Sequence, residues 1–208
     1  MTSADPLKNM ATAILSGNGS KGLDSANKAL ADGFSIDDII TNGVLSAWKD
    51  FCDWYTRDPM GSLKAWMDCV NATQKILKLL DSTVNVQPKP PFSVIVATVK
   101  AEGHTLMRDI LALMLKSRGL KVYTSRRGVL VEDLGEPLSD SSLKFVVLSC
   151  IEDQSKPNLE KLVKGIRAKR PDMRIIAGGP LAELSGADMV IADPVRVYDT
   201  LMHLAKSG

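Results

Sequence analysis

Two hydrophobic rhythms divide the chain. From Leu7 to Leu80 the apolar positions recur every three or four residues, the spacing of one buried helical face. Leu7, Met10, Ala11, Ile14 and Leu15 form the first run, with Asp5 placed to cap it and Pro6 at its first helical position. The polar, glycine-rich stretch Ser16–Gly22 interrupts the pattern. A short second helix through Ala26, Ala29 and Leu30 closes at Gly33. Ser35, with Asp38 three residues on, opens a third that carries Ile36, Ile39, Ile40, Val44, Leu45, Trp48, Phe51, Cys52 and Tyr55. Thr56–Ser62 reads as a turn, and a fourth helix follows through Leu63, Trp66, Met67, Val70, Ile76, Leu77 and Leu80. Trp48, Phe51, Trp66 and Met67 are expected in the core. Four amphipathic helices with short connections predict a small antiparallel bundle.

Asp81–Phe92 ends this rhythm, because its prolines oppose both helix and central strand. Beyond it, short apolar runs alternate with amphipathic ones. Strands are expected at Phe92–Val99, Leu120–Ser125, Leu143–Cys150, Met173–Gly179 and Ala187–Ala192. Helices are expected at His104–Gly119, Lys156–Arg170 and Pro194–Gly208. Arg126–Ser142 carries no clear pattern. Strand–helix alternation with near-continuous apolar strands means a parallel sheet covered on both faces. The expected organisation is a helical bundle over residues 1–82, a Pro-rich linker over 83–91, and a flavodoxin-like (Rossmann-like) doubly wound, five-stranded α/β domain over 92–208.

Charge removes several function classes. The 26 basic and 24 acidic residues are interleaved and leave a formal net charge of +2, so no nucleic-acid footprint stands out. Aromatic residues are only 5% of the chain, too few for base-stacking platforms. No apolar run is long enough to span a bilayer, and "MTSADPLKNM" lacks a signal-peptide pattern. The three cysteines, Cys52, Cys69 and Cys150, are odd in number and far apart, which argues against a disulfide framework or a CxxC metal site. A reduced, cytoplasmic protein with buried thiols is expected.

Open α/β sheets bind ligands at the carboxyl ends of their strands. Three unusual features fall there: His104 after the first strand, Ser149 at the end of the third, and Gly178–Gly179 after the fourth. A glycine pair lets backbone approach a ligand closely. His104 is one of only two histidines, and Glu102 stands two residues before it. Such a histidine could be an inconsequential surface residue or a general base. It could also ligate a metal through one nitrogen while the other bonds to a carboxylate. A zinc site needs three or four protein ligands, and no cysteine or second histidine lies nearby in sequence. One histidine suffices where a macrocycle supplies the equatorial ligands, as in haem or a corrinoid.

At this point the chain resembles the cobalamin-binding proteins of corrinoid-dependent methyltransferase systems, and is similar to the B12-binding module of methionine synthase. The family motif is Asp-x-His-x-x-Gly, then Ser-x-Leu, then Gly-Gly. The chain has Glu102-Gly103-His104-Thr105-Leu106-Met107, then Ser149-Cys150-Ile151, then Gly178-Gly179. The helical segment "ANKALADGFSIDDIITNGVLSAW" resembles the family's N-terminal cap. The resemblance implies His104 as the lower axial ligand of cobalt in place of the cofactor's own base. It implies Glu102 and Ser155 as a ligand relay behind His104, and Gly103, Thr105, Met107, Ser149, Ile151, Gly178 and Gly179 as cofactor contacts. Tyr55, Met60 and Leu63 would cover the upper, methyl-bearing face. The departures are Glu102 for aspartate, Met107 for glycine, Ala101 for the glycine before the acid, and Thr105-Leu106 for Asp-Ile.

The implied function is a corrinoid shuttle. It would carry a methyl group on cobalt, as methylcobalamin and cob(I)alamin in turn, between a substrate:corrinoid methyltransferase and a second methyltransferase acting on tetrahydrofolate or a thiol. A corrinoid reductive activator would be a further partner, and neither nucleic acid nor membrane is implied. The chain has no room for a catalytic barrel of about 250 residues, so it would be a methyl-carrier subunit and not a complete enzyme. The alternatives are a cobalamin- or light-sensing regulatory module and a relative that no longer binds, marked by Met107. A phosphoacceptor receiver is disfavoured, because the third strand ends in Ser149 and not in an aspartate.

Overall fold

The computed structural model describes residues 5–85, 89–125 and 127–207. The chain forms two compact units, Met1–Asn85 and Val86–Gly208. Residues 86–88 of the expected linker, and Arg126, lie outside the described residues.

The first unit is helical. Helix α1 is Pro6–Leu15, and the Asp5 carboxylate accepts from the Leu7 N–H at 3.0 Å at its start. Helix α2 is Gly19–Ala31, capped by Asn18, and Gly33 follows with φ +87°. Helix α3 spans 36–57 and opens with a complete Ser35/Asp38 capping box. Its stretch Ile39–Leu45 is π-helical. The buried positions Ile39, Gly43, Ala47 and Phe51 recur every four residues, as do Ile40, Val44 and Trp48. A straight α-helix would rotate such a stripe by about 40° per repeat, and the wider π turn absorbs part of that drift.

Helix α4 is Pro59–Thr83. It begins inside the Thr56–Ser62 turn expected from sequence, and only Asp58 separates it from α3. The Asp58 carboxylate accepts from the Gly61 N–H at 3.0 Å, and Pro59 supplies a preset φ, so the helix restarts at once. Trp48 and Phe51 are buried, and Trp66 packs edge-on against both with ring centroids 5.2 and 5.4 Å away. Met67 is exposed, not core. Cys69 is buried, but Cys52 lies on the outer face of α3 and is exposed.

The second unit is a five-stranded, all-parallel sheet of order β2-β1-β3-β4-β5. Its strands are β1 Ser93–Thr98, β2 Lys121–Thr124, β3 Leu143–Ser149, β4 Arg174–Gly178 and β5 Met189–Val190. Helices α5, Leu106–Ser117, and α7, Val197–Lys206, cover one face through Leu111, Leu115, Val197 and Leu201. Helix α6, Lys156–Lys169, covers the other through Leu159, Leu162, Val163 and Ile166. Helices on both faces make the fold doubly wound and Rossmann-like, as the pattern of apolar runs predicts.

Strand β5 is shorter than the expected Ala187–Ala192, because Asp188 stops the ladder at its start. The Asp188 carboxylate accepts from the Ile175 N–H at 2.7 Å, in a place a further strand pair would take. The unpatterned region folds as single turns, Val131–Leu134 and Gly135–Leu138, with Leu134 and Leu138 packed beside α6. Asp140 then gathers the amino ends of three strands. It accepts from Ser93 Oγ at 2.8 Å, Tyr123 Oη at 2.8 Å, Lys121 Nζ at 3.1 Å and the Ser142 N–H at 2.8 Å.

Candidate functional site

The site lies at the opposite, carboxyl edge of the sheet. Thr98 pairs with Ser149 and Ser149 with Gly178, so the loops after β1, β3 and β4 leave from one row. The first loop turns sharply. Ala101 has φ +71°, the Glu102 N–H returns to the Val99 carbonyl at 3.1 Å, and the chain reaches Thr105 at the start of α5. The left-handed residue throws the Glu102 side chain inward, and its carboxylate is wholly buried.

A buried carboxylate demands partners, and Glu102 has them from two loops. Its Oε1 accepts from the His104 N–H at 2.8 Å and lies 3.0 Å from His104 Nδ1. Its Oε2 accepts from the Ile151 N–H at 2.7 Å and the Glu152 N–H at 3.0 Å. Burial pushes this carboxyl up. The N–H groups of Glu152, Ile151 and His104, together with the imidazole, outweigh burial and hold it below its ordinary value. Glu102 is therefore an anion at neutral pH and fixes the His104 ring, whose side chain is 39% exposed.

Ser155 Oγ lies 3.3 Å from Glu102 Oε2 and 2.6 Å from the Glu152 carbonyl. A hydroxyl has one proton, and the shorter contact claims it. Cys150 Sγ sits 2.9 Å from the same oxygen, so the thiol can donate into it. Burial pushes the Cys150 thiol up; Ser155 opposes this, while the charges of Glu102, Glu152 and Asp153 add to it.

Beside this cluster is a mostly apolar cavity of about 150 Å³, lined by Met107, Arg108, Ser149, Ile151, Gly178 and Gly179 among others. A cavity of about that size lined with aliphatic side chains holds a benzene ring, so the space suits one flat aromatic base. Met107 lines it without filling it. A Cβ on Gly179, whose φ is +98°, would stand 2.5 Å from the Cys150 carbonyl oxygen, so this glycine is required by the neighbouring backbone itself. Gly103 and Thr105 belong to the histidine loop and lie outside the cavity lining.

The structure thus brings Glu102, His104 and Ser155 together, and places Met107, Ser149, Ile151, Gly178 and Gly179 around one cavity. Tyr55, Met60 and Leu63 are exposed on the first unit, at the end of α3 and the first turns of α4. Met67, 59% exposed, continues the Met60–Leu63 face one turn on. Its helical spacing had marked it as core, and the pattern carries no signal that separates the two. Glu152 was also missed. Its Oε1 lies 3.1 Å from His104 Nδ1, and only the fold brings those loops together.

The donor set fits a corrinoid: one oriented imidazole on a loop beside an apolar slot of ring size, with no second imidazole among the described residues nearby. A family model described as the B12 binding domain matches residues 92–204. The chain is 25% identical over 193 residues to dimethylamine corrinoid protein 3 of Methanosarcina acetivorans, covering 90% of this chain and 88% of that one. Among solved structures, the monomethylamine corrinoid protein of Methanosarcina barkeri aligns with a TM-score of 0.76 at 18% identity, over 94% of this chain and 96% of that one. The methanol:cobalamin methyltransferase complex MtaBC of Methanosarcina barkeri aligns with a TM-score of 0.51 at 13% identity, over 96% of this chain and 80% of that one. At these identities the structural likenesses speak for the fold.

Proposed function

Because the chain belongs to the B12-binding domain family, we propose that it is a methyl-carrying corrinoid protein, with His104 as the lower axial ligand of cobalt. The observation that carries this reading is the His104 ring, held through Nδ1 by a buried, ionised Glu102 beside a slot of aromatic size. When bound, the corrinoid supplies a cobalt centre that accepts, holds and gives up a methyl group.

The residues divide the remaining work. With Nδ1 facing Glu102, Nε2 is the nitrogen that coordinates. Glu102 polarises the Nδ1–H bond and so strengthens imidazole as a donor, while the Ile151 and Glu152 N–H groups keep the carboxylate in place. Ser149 and the Gly178–Gly179 backbone line the slot that receives the cofactor's displaced base. Ser155 stands within reach of Glu102 as the outer member of the relay. Gly103 and Thr105 shape the loop that presents the imidazole. Tyr55, Met60 and Leu63 offer apolar surface suited to the methyl-bearing face.

The partners follow from the same reading. A substrate:corrinoid methyltransferase loads the methyl group, and the curated relative's name favours a methylated amine as donor. A second methyltransferase, acting on tetrahydrofolate or a thiol, unloads it, and a reductive activator restores cob(I)alamin after oxidation. The open slot beside Met107 supports binding over a relative that has lost its ligand. Among the described residues, no helix is long and apolar enough to cross a membrane.

The test is EPR of the cob(II)alamin form. Wild type is expected to show superhyperfine splitting from one axial nitrogen, and His104→Ala is expected to bind corrinoid without it. Failure to bind corrinoid, or a nitrogen signal unchanged in His104→Ala, would sink the reading.

A further inference from the structure

Two carboxylates converge on one ring nitrogen. Glu102 Oε1 lies 3.0 Å from His104 Nδ1, and Glu152 Oε1 lies 3.1 Å from the same atom. The second acid comes from the loop after β3, beyond the Ser149-Cys150-Ile151 motif. Three features hold it there. Its own N–H donates to Glu102 Oε2 at 3.0 Å, so main chain and side chain serve the same cluster. Gln154 Nε2 donates to its other carboxylate oxygen at 2.5 Å. Gly103 faces Glu152 Oε1, and a Cβ there would stand 3.3 Å from that oxygen, tight enough to press on it. The glycine between Glu102 and His104 thus leaves room for a second acceptor.

Taking His104 as the cobalt ligand, we propose that Glu152 is a second positioning residue for that ligand, its carboxylate beside Nδ1 adding to the Glu102 hydrogen bond and strengthening imidazole as an axial donor. The two acids differ in kind. Glu102 is fully buried and pinned by backbone, so its charge is fixed in place. Glu152 keeps 25% of its side chain exposed, so its hold on the ring is adjustable. Glu152→Gln therefore weakens the hold on the ring while leaving the backbone bonds to Glu102 in place. With a corrinoid bound, the strength of this hold would set how firmly His104 donates to cobalt.

The experiment uses the full chain carrying cob(II)alamin, at about pH 8.5, well above the ordinary imidazole range. EPR gives the ratio of nitrogen-coordinated to uncoordinated cobalt. Outer-sphere partners of a ligating histidine typically contribute tenfold to a hundredfold in metal affinity. Glu152→Gln is expected to lower the ratio about three- to tenfold, with Glu152→Asp restoring part of it and Glu102→Gln falling further. The ¹⁵N shift of His104 Nδ1 in the corrinoid-free protein is expected to move in Glu152→Gln, which reports the loss of the neighbouring carboxylate directly. An unchanged ratio in Glu152→Gln, with the signal still lost in His104→Ala, overturns the proposal and leaves His104 as the ligand. Loss of corrinoid binding in Glu152→Gln with a native circular dichroism spectrum also overturns it, by making Glu152 a binding residue. A nitrogen signal that survives in His104→Ala overturns both.

Discussion

Ala101 sits in the left-handed region at φ +71°, the only non-glycine residue among those described to do so. A side chain there costs about 1–2 kcal/mol, because Cβ crowds the following carbonyl. Glycine relieves the crowding but adds freedom to the unfolded chain worth about 0.4–1 kcal/mol. Ala101→Gly is therefore expected to stabilise the protein by about 0.5–1 kcal/mol, read as a raised urea midpoint with an unchanged slope. The strain is kept at the residue that aims Glu102 at His104. That aim was legible in the sequence, since a carboxylate two residues before a histidine in a turn can face the same way. Glu152 was not legible, because 48 positions of chain separate it from His104 and no spacing rule spans them.

At the scale of elements, the two edges of the sheet do different work. The carboxyl edge holds the histidine loop and the slot. The amino edge is fastened by Asp140, which takes bonds from the starts of β1 and β2 and from the turn before β3. Burial would push its carboxyl up, but the Ser142, Ser93 and Tyr123 hydroxyls and the Ser142 N–H overcome burial and hold it well below the ordinary range. Asp140→Ala removes the acceptor shared by Ser93, Tyr123 and Lys121, leaving the Ser142 hydroxyl as the partner of buried Ser93, and is expected to cost about 1–3 kcal/mol, measured by urea denaturation, with the His104 loop unaltered by NMR. Nothing in Arg126–Ser142 marked that knot, because its turns carry neither helical nor strand periodicity. The strands and the long helices were legible because their apolar periods are long and unbroken. The π stretch of α3 was not, since a four-residue repeat reads as helix whichever turn carries it.

For the molecule as a whole, acid is the condition that tests this design. Glu102, Asp140 and Asp188 all titrate below their ordinary values in the folded chain. A carboxyl depressed by folding adds stability that is complete above its unfolded value, about pH 4–5, and is lost as pH falls through the folded value. The urea midpoint is expected to hold nearly level from pH 7 to pH 5 and to fall steeply below pH 4. All three acids belong to the Val86–Gly208 unit, so its near-native spectroscopic signals are expected to go first. The doubly wound, five-stranded parallel sheet was legible from the β-α alternation. How much of the surface is apolar was not, as exposed Met60 and Met67 show.

If the chain carries a methyl group as proposed, the buried thiol of Cys150 has a consequence. Thiolates are natural methyl acceptors, and a carrier with one beside its cargo would alkylate itself and consume its own load. Burial and three neighbouring carboxylates push the thiol up and so favour its protonated form, and its sulfur lies 2.9 Å from Ser155 Oγ. The same negative field that steadies an imidazole therefore also silences a nucleophile, and the cluster acts as insulation as well as support.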